Sequence, residues 1–176
     1  MIFHDTKLQG AFLIDVEKLV DERGFFARSF CHEEFRTHGL NPRLVQCSLS
    51  FNRRRGTLRG MHYQSAPYGE DKLVRCTRGA MYDVIVDLRR DSVTFKQWLA
   101  VELAADTCRM LYIPQGVAHG FQTLQDDTEA FYQMSEFYHV ECAKGFRWDD
   151  PTFGIEWPLP KPILSMNDRA FPNFQP

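Results

Sequence analysis

The sequence predicts an all-β fold, a jelly-roll β-sandwich with short peripheral helices. Three observations carry this. Apolar residues alternate with polar ones over short stretches, turn residues separate those stretches at fairly even spacing, and helical periodicity is nearly absent. The clearest strand covers residues 81–88, with Tyr82, Val84, Val86 and Leu88 on one face and Asp83 and Asp87 on the other. The two aspartates read as structural. Arg78-Gly79, just ahead of it, reads as a tight turn from a strand over 72–77. In chain order, the same patterning predicts strands near 11–16, 44–51, 58–64, 98–103, 109–113, 120–124 and 130–135. A helix is expected near 32–37, stopped by Gly39. The Pro- and Trp-rich end of the chain reads as irregular wrapping with one short helix, Trp148 and Trp157 serving as core anchors.

With 176 residues, 44% hydrophobic and 25% charged, the chain has the composition of one globular domain over residues 1–176. A formal charge of −2 argues against nucleic acid as a partner. The run Arg53-Arg54-Arg55 reads equally as a solvated loop or as a phosphate contact. The five cysteines are odd in number and widely spaced, poor material for a disulfide framework or a zinc knuckle. No signal-peptide pattern opens the chain and no apolar run is long enough to span a membrane, so a cytoplasmic protein is expected.

In a sandwich with alternating faces, His62 shares its face with Leu58, Gly60 and Gln64, and Tyr132 shares one with Ala130 and Met134. Polar groups aimed into an apolar barrel are costly unless they bond one another or a ligand. Cupin-type barrels hold a metal with His-x-His and a Glu from one segment and a His from a later one. Here Gln64 breaks the His-x-His pair, although His119 sits in a Pro-x-Gly-x-x-His frame, so no metal is expected. A histidine can take a proton from carbon, a tyrosine can return one from the other side, a lysine can hold the oxyanion, and arginines suit a diphosphate. That set favours proton abstraction beside a carbonyl of a phosphorylated substrate. On residue types alone, a satisfied core or surface role is the commoner one for a lone His or Tyr in a β-barrel.

Ordered motifs then carry a resemblance over nearly the whole chain. They run from Asp21-Glu22-Arg23-Gly24-Phe25-Phe26 through Gly56-Thr57-Leu58-Arg59-Gly60-Met61-His62-Tyr63-Gln64 and Lys72-Leu73-Val74-Arg75 to Ile113-Pro114-Gln115-Gly116-Val117-Ala118-His119-Gly120-Phe121. Phe131-Tyr132, Phe137-Tyr138, Arg147-Trp148-Asp149-Asp150-Pro151, Gly154-Ile155-Glu156-Trp157-Pro158 and Ile163 to Arg169 follow. The chain resembles the dTDP-4-dehydrorhamnose 3,5-epimerase family, cupin-like enzymes that epimerise nucleotide-linked 4-keto-6-deoxy sugars in deoxysugar biosynthesis. The resemblance implies His62 as base, Asp168 as its orienting carboxylate, Lys72 near the sugar O4 and Tyr132 as acid. It implies Arg59 and His119 on sugar and diphosphate, Arg23 on the diphosphate, Gln46 on the nucleotide, Phe26 beneath the base and Tyr138 along the sugar pocket. It also implies no cofactor and a homodimer whose first strand crosses over, so that Arg23 and Phe26 serve the neighbour's site.

Departures from the family pattern fall at Arg28, Ser48, Val140, Ala143 and Asn167, positions that in the family serve nucleotide and phosphate recognition. The deprotonation set is thus implied more firmly than the nucleotide. Rival readings are a non-catalytic sugar-nucleotide binder, a metal-dependent cupin, a keto-isomerase, and an epimerase acting at C3 only or C5 only.

Overall fold

The computed structural model describes residues 1–175. Along the chain run β1 (Ile2–Asp5), β2 (Phe12–Asp15), β3 (Leu19–Asp21), β4 (Gly24–Phe26), α1 (His32–Thr37), β5 (Gln46–Asn52), β6 (Leu58–Gln64) and β7 (Lys72–Arg78). They are followed by β8 (Ala80–Asp87), β9 (Trp98–Ala104), β10 (Met110–Ile113), β11 (Val117–Thr123), β12 (Thr128–Met134), β13 (Ala143–Gly145) and α2 (Met166–Ala170). The expected strands and the helix near 32–37 are present. Sequence patterning did not reveal β1, the β3–β4 hairpin or β13, each only three or four residues long.

Two antiparallel sheets face each other, one ordered β1-β2-β10-β7-β12-β5 and the other β13-β6-β11-β8-β9. Between them pack inward-facing apolar residues of both, including Val74, Met81, Ile85, Leu111, Phe121 and Ala130. Such sheet-on-sheet burial is the main favourable term for a fold of this class. The outer face of the first sheet is covered by α1, through Phe35 against Ile14, Leu73 and Tyr112. The chain end covers the outer face of the second, with Phe146, Phe153, Trp157 and Phe174 over Val84 and Val86. Strand β8 is therefore buried on both faces. Trp157 packs in this outer layer and donates its indole N–H to Trp148 O at 2.9 Å. Among the described residues, no helix is long and apolar enough to cross a membrane.

The apolar filling stops short of the side where β5 and β12 face β6 and β11. There the inward positions carry Ser48, Ser50, Tyr132, Arg59, His62 and His119, and a cleft opens.

Candidate active site

The cleft has two lobes, about 400 Å³ and about 780 Å³, that share Ser48, Arg59, His62, Lys72 and Tyr132. Each lies within the size range of small-molecule sites. His62 and His119 are directly paired across neighbouring strands β6 and β11. From there to the pair Phe121–Arg59, β11 advances two residues while β6 advances three, a bulge in β6. Strict alternation would put Arg59 and His62 on opposite faces; the bulge brings both to the cleft. Gly60 makes it feasible. Its φ is +135°, and a Cβ there would lie 2.5 Å from Gly120 Cα.

Asp168 is supplied by the far end of the chain. Ser165 caps α2, its Oγ accepting from Asp168 N at 3.0 Å and donating to Asp168 Oδ2 at 2.8 Å. Asp168 is thus held by the capping serine and reaches His62, with Oδ1 at 2.6 Å from Nε2. Burial alone pushes this carboxyl up, but hydrogen bonds from His62, Ser165 and the Gly60 backbone hold it below the ordinary carboxylate range. The anion fixes a proton on Nε2 and leaves His62 Nδ1 as the basic nitrogen. Phe171, just past α2, lies 5.6 Å from the imidazole centre and closes one side.

On the opposite sheet, β12 places Tyr132 and β7 places Lys72. Burial, reinforced by the charge of Asp83, pushes the Tyr132 phenol up; a hydrogen bond with Ser50 and the nearby Arg59 offset only part of this. The phenol therefore keeps its proton at neutral pH. Lys72 Nζ is 3.1 Å from Glu70 Oε1, and both side chains are mostly covered within the larger lobe. Arg59 Nε donates to Asn52 Oδ1 at 2.8 Å, which fixes the guanidinium at the cleft wall. His119 Nε2 lies 2.8 Å from Asp83 Oδ1, deep between the sheets. This is a close polar contact without hydrogen-bond alignment, and neither Asp83 oxygen has a hydrogen-bond partner among the described residues.

The cleft thus gathers His62, Lys72, Arg59, His119, Tyr132, Gln46, Tyr138 and Asp168. It does not gather Arg23 and Phe26. These sit on the β3–β4 hairpin, 84% (side chain) and 72% exposed, with Arg23 paired to Asp21 and Phe26 beside Leu19, Ala27 and Arg28. Arg28 is equally remote, 3.2 Å from Glu34. The other departures, Ser48, Val140, Ala143 and Asn167, all line the larger lobe. Glu70, Asp83, Ser165 and Phe171 were not singled out as site residues from sequence. For Ser165 a signal existed, since Ser-x-x-Asp reads as a capping box; Glu70 and Phe171 lie close in sequence to Lys72 and Asp168, and Asp83 meets His119 only through the pairing of β8 with β11. Among the described residues, no three His, Cys, Asp or Glu side chains converge as a metal-ligand set.

Comparison with known proteins agrees in sequence and in fold. The profile of the dTDP-4-dehydrorhamnose 3,5-epimerase family matches residues 5–176. The dTDP-4-dehydrorhamnose 3,5-epimerase of Methanothermobacter thermautotrophicus is 44% identical over 171 residues, 95% of this chain and 91% of that protein. The crystal structure of the Bacillus anthracis enzyme of that name, with TDP and PPi bound, superposes with a TM-score of 0.95 at 40% identity, covering 98% of this chain and 99% of that one. ChmJ, a 3'-monoepimerase from Streptomyces bikiniensis in complex with dTDP-quinovose, superposes with a TM-score of 0.89 at 33% identity, over 97% of this chain and 86% of that one. This chain belongs to the dTDP-4-dehydrorhamnose 3,5-epimerase family.

Proposed function

We propose that residues 1–176 act as one cupin-like epimerase domain that inverts C3, C5 or both in a dTDP-linked 4-keto-6-deoxy sugar. One observation carries the reading: a carboxylate-bound histidine on one sheet and a protonated tyrosine on the other face a single cleft. Inversion needs a base and an acid on opposite sides of the same carbon, and binding alone does not. The nucleotide is taken from relatives whose structures hold TDP or dTDP-quinovose.

In this scheme His62 Nδ1 removes the proton beside the C4 ketone, and Asp168 stabilises the imidazolium that forms. The electron pair moves onto O4, where the Lys72 ammonium offsets the enolate charge. Tyr132 then donates to the opposite face of the carbon. His119 and Arg59 hold the sugar and its diphosphate, Gln46 faces the nucleotide, and Tyr138 forms the outer wall. Departures at Ser48, Val140, Ala143 and Asn167 all line the larger lobe, where they reshape the contacts around the substrate while His62, Lys72, Tyr132 and Asp168 keep their residue types.

A second copy of the chain is the partner. The β3–β4 hairpin exposes Leu19, Val20, Phe25 and Phe26, and the edge strand β5 exposes Leu49 and Phe51. Exposed apolar side chains in this number are more usual at an interface. Pairing through it delivers Arg23 and Phe26 to the neighbouring cleft. All five cysteines are free, in keeping with a reducing cytoplasm.

The test is incubation with dTDP-4-keto-6-deoxyglucose in D₂O, followed by NMR. The wild type is expected to incorporate deuterium at each inverted carbon, and His62→Ala at none while still binding dTDP. Undiminished exchange in His62→Ala removes His62 from the mechanism. Binding by the wild type without any exchange identifies a carrier or sensor, and migration of the carbonyl identifies a keto-isomerase.

A further inference from the structure

We propose that Gln64 is a positioning residue: it anchors the strap that holds Tyr138 over the cleft and ties that strap to the loop bearing Glu70. The proposal rests on the reading of Tyr138 as a substrate-contacting wall. The strap is the segment between β12 and β13, residues 135–142. Its Tyr138 lines the larger lobe, yet it is 66% exposed and so has little packing of its own to fix its place. Where that ring stands is decided by its backbone.

That backbone is held by side chains from both sheets. Gln64, 4% exposed at the end of β6, commits its whole amide to main-chain groups. Its Nε2 donates to Phe137 O at 3.0 Å and to Tyr68 O at 2.5 Å, and its Oε1 accepts from His139 N at 2.8 Å. From β5 in the opposite sheet, Gln46 Oε1 accepts from Tyr138 N at 2.6 Å. Three consecutive residues are thereby tied down without belonging to any strand. The connection also reaches the 65–71 loop, whose Tyr68 ring stacks on His139 with centroids 3.6 Å apart. That loop carries Glu70, the ion-pair partner of Lys72. One buried amide therefore links the residue beside the enolate-holding lysine to the tyrosine wall.

Only an amide fits. A carboxylate at this position still accepts from His139 N but turns an anion on the carbonyls of Phe137 and Tyr68. A hydrocarbon leaves three partly buried backbone groups without this partner.

The experiment uses the full chain, with Gln64→Glu and Gln64→Met each made alone and combined with Tyr138→Ala. In the wild type, the His139 and Tyr138 amides should exchange slowly with D₂O, because side-chain acceptors protect them; in Gln64→Met, His139 protection should be lost. In Gln64→Glu, KM and the Kd for dTDP should rise roughly 10–100-fold, a few lost hydrogen bonds' worth, with kcat held within a few-fold. With Tyr138→Ala already present, either Gln64 change should add less than about threefold, because its route of action is gone. Fast exchange of both amides in the wild type overturns the proposal even if no variant folds. So does a fall in kcat with KM unchanged, or penalties that multiply in the double variants. Absence of epimerase activity in the wild type would sink the functional reading instead, and amide exchange would still decide whether the strap is held as described.

Discussion

Asp168→Asn isolates what the carboxylate does for His62. The substitution keeps size and shape, so α2 and the tail should stay in place. At present Oδ1 lies 2.6 Å from His62 Nε2 while Oδ2 accepts from Ser165 Oγ at 2.8 Å. The serine proton needs an acceptor at the Oδ2 position, so the amide oxygen goes there and the NH₂ group turns toward His62. That group donates, and Nε2 must then accept. The imidazole proton moves to Nδ1, the nitrogen that should remove the substrate proton. Loss of the charge-assisted bond to a buried partner is worth about 1.5–3 kcal/mol, which by itself slows the reaction roughly 10–150-fold. The inverted tautomer adds to this and carries the loss toward the ~10⁴-fold produced when a triad carboxylate is replaced in the same way. We therefore expect kcat to fall roughly 10²–10⁴-fold with KM within a few-fold of wild type, measured as single-turnover deuterium incorporation by NMR. An Asn variant that exchanges within about fivefold of the wild-type rate refutes the assignment of Asp168 as the group that sets the tautomer.

Three more predictions follow from the same geometry. Tyr132→Phe should leave deuterium exchange into the starting sugar intact and cut inverted product about 10²–10⁴-fold, the usual worth of a general acid; inversion at the wild-type rate would shift the role to Tyr138 or water. Asp87, buried and bonded by Arg89, Ser92 and Thr94, has its carboxyl lowered against its burial to about 2. A depressed folded-state pKa stabilises above the unfolded value near 4, and that contribution is lost as pH falls through 2. Urea unfolding should therefore show wild type losing about 2 kcal/mol more than Asp87→Asn between pH 4 and 2, and equal losses would contradict this. Gly60→Ala places a Cβ against Gly120 Cα and strains a backbone at φ +135°, so unfolding stability should drop by roughly 3 kcal/mol or more. A change below about 1 kcal/mol would mean that the β6 bulge yields easily.

The alternation of apolar and polar residues was enough to place every strand of the two sheets except β1 and β13, because a pleated strand turns successive side chains to opposite faces whatever lies around it. In β6 the match is residue for residue, Leu58–Gln64. The site residues followed from ordered motifs, and His62, Lys72, Tyr132 and Asp168 do meet in one cleft. Alternation failed where a face was covered or a strand slipped. Asp83 and Asp87 occupy one face of β8 and read alike, yet Asp87 pins the turn at Arg89 and Thr94 while Asp83 points at His119. Arg59 reads as facing away from His62 until the bulge at Gly60 is seen.

What the sequence determined by itself was the all-β class, the approximate positions of most strands and the chemical types available to the site, all consequences of local periodicity and side-chain chemistry. The tertiary structure decided which of those side chains meet. Asp168 reaches His62 across 106 positions of chain, and Gln46 and Gln64 close on consecutive residues of a strap from opposite sheets. Such encounters depend on strand order, register and the covering of outer faces, which are set by the packing of the whole chain and leave no periodic mark in any one segment.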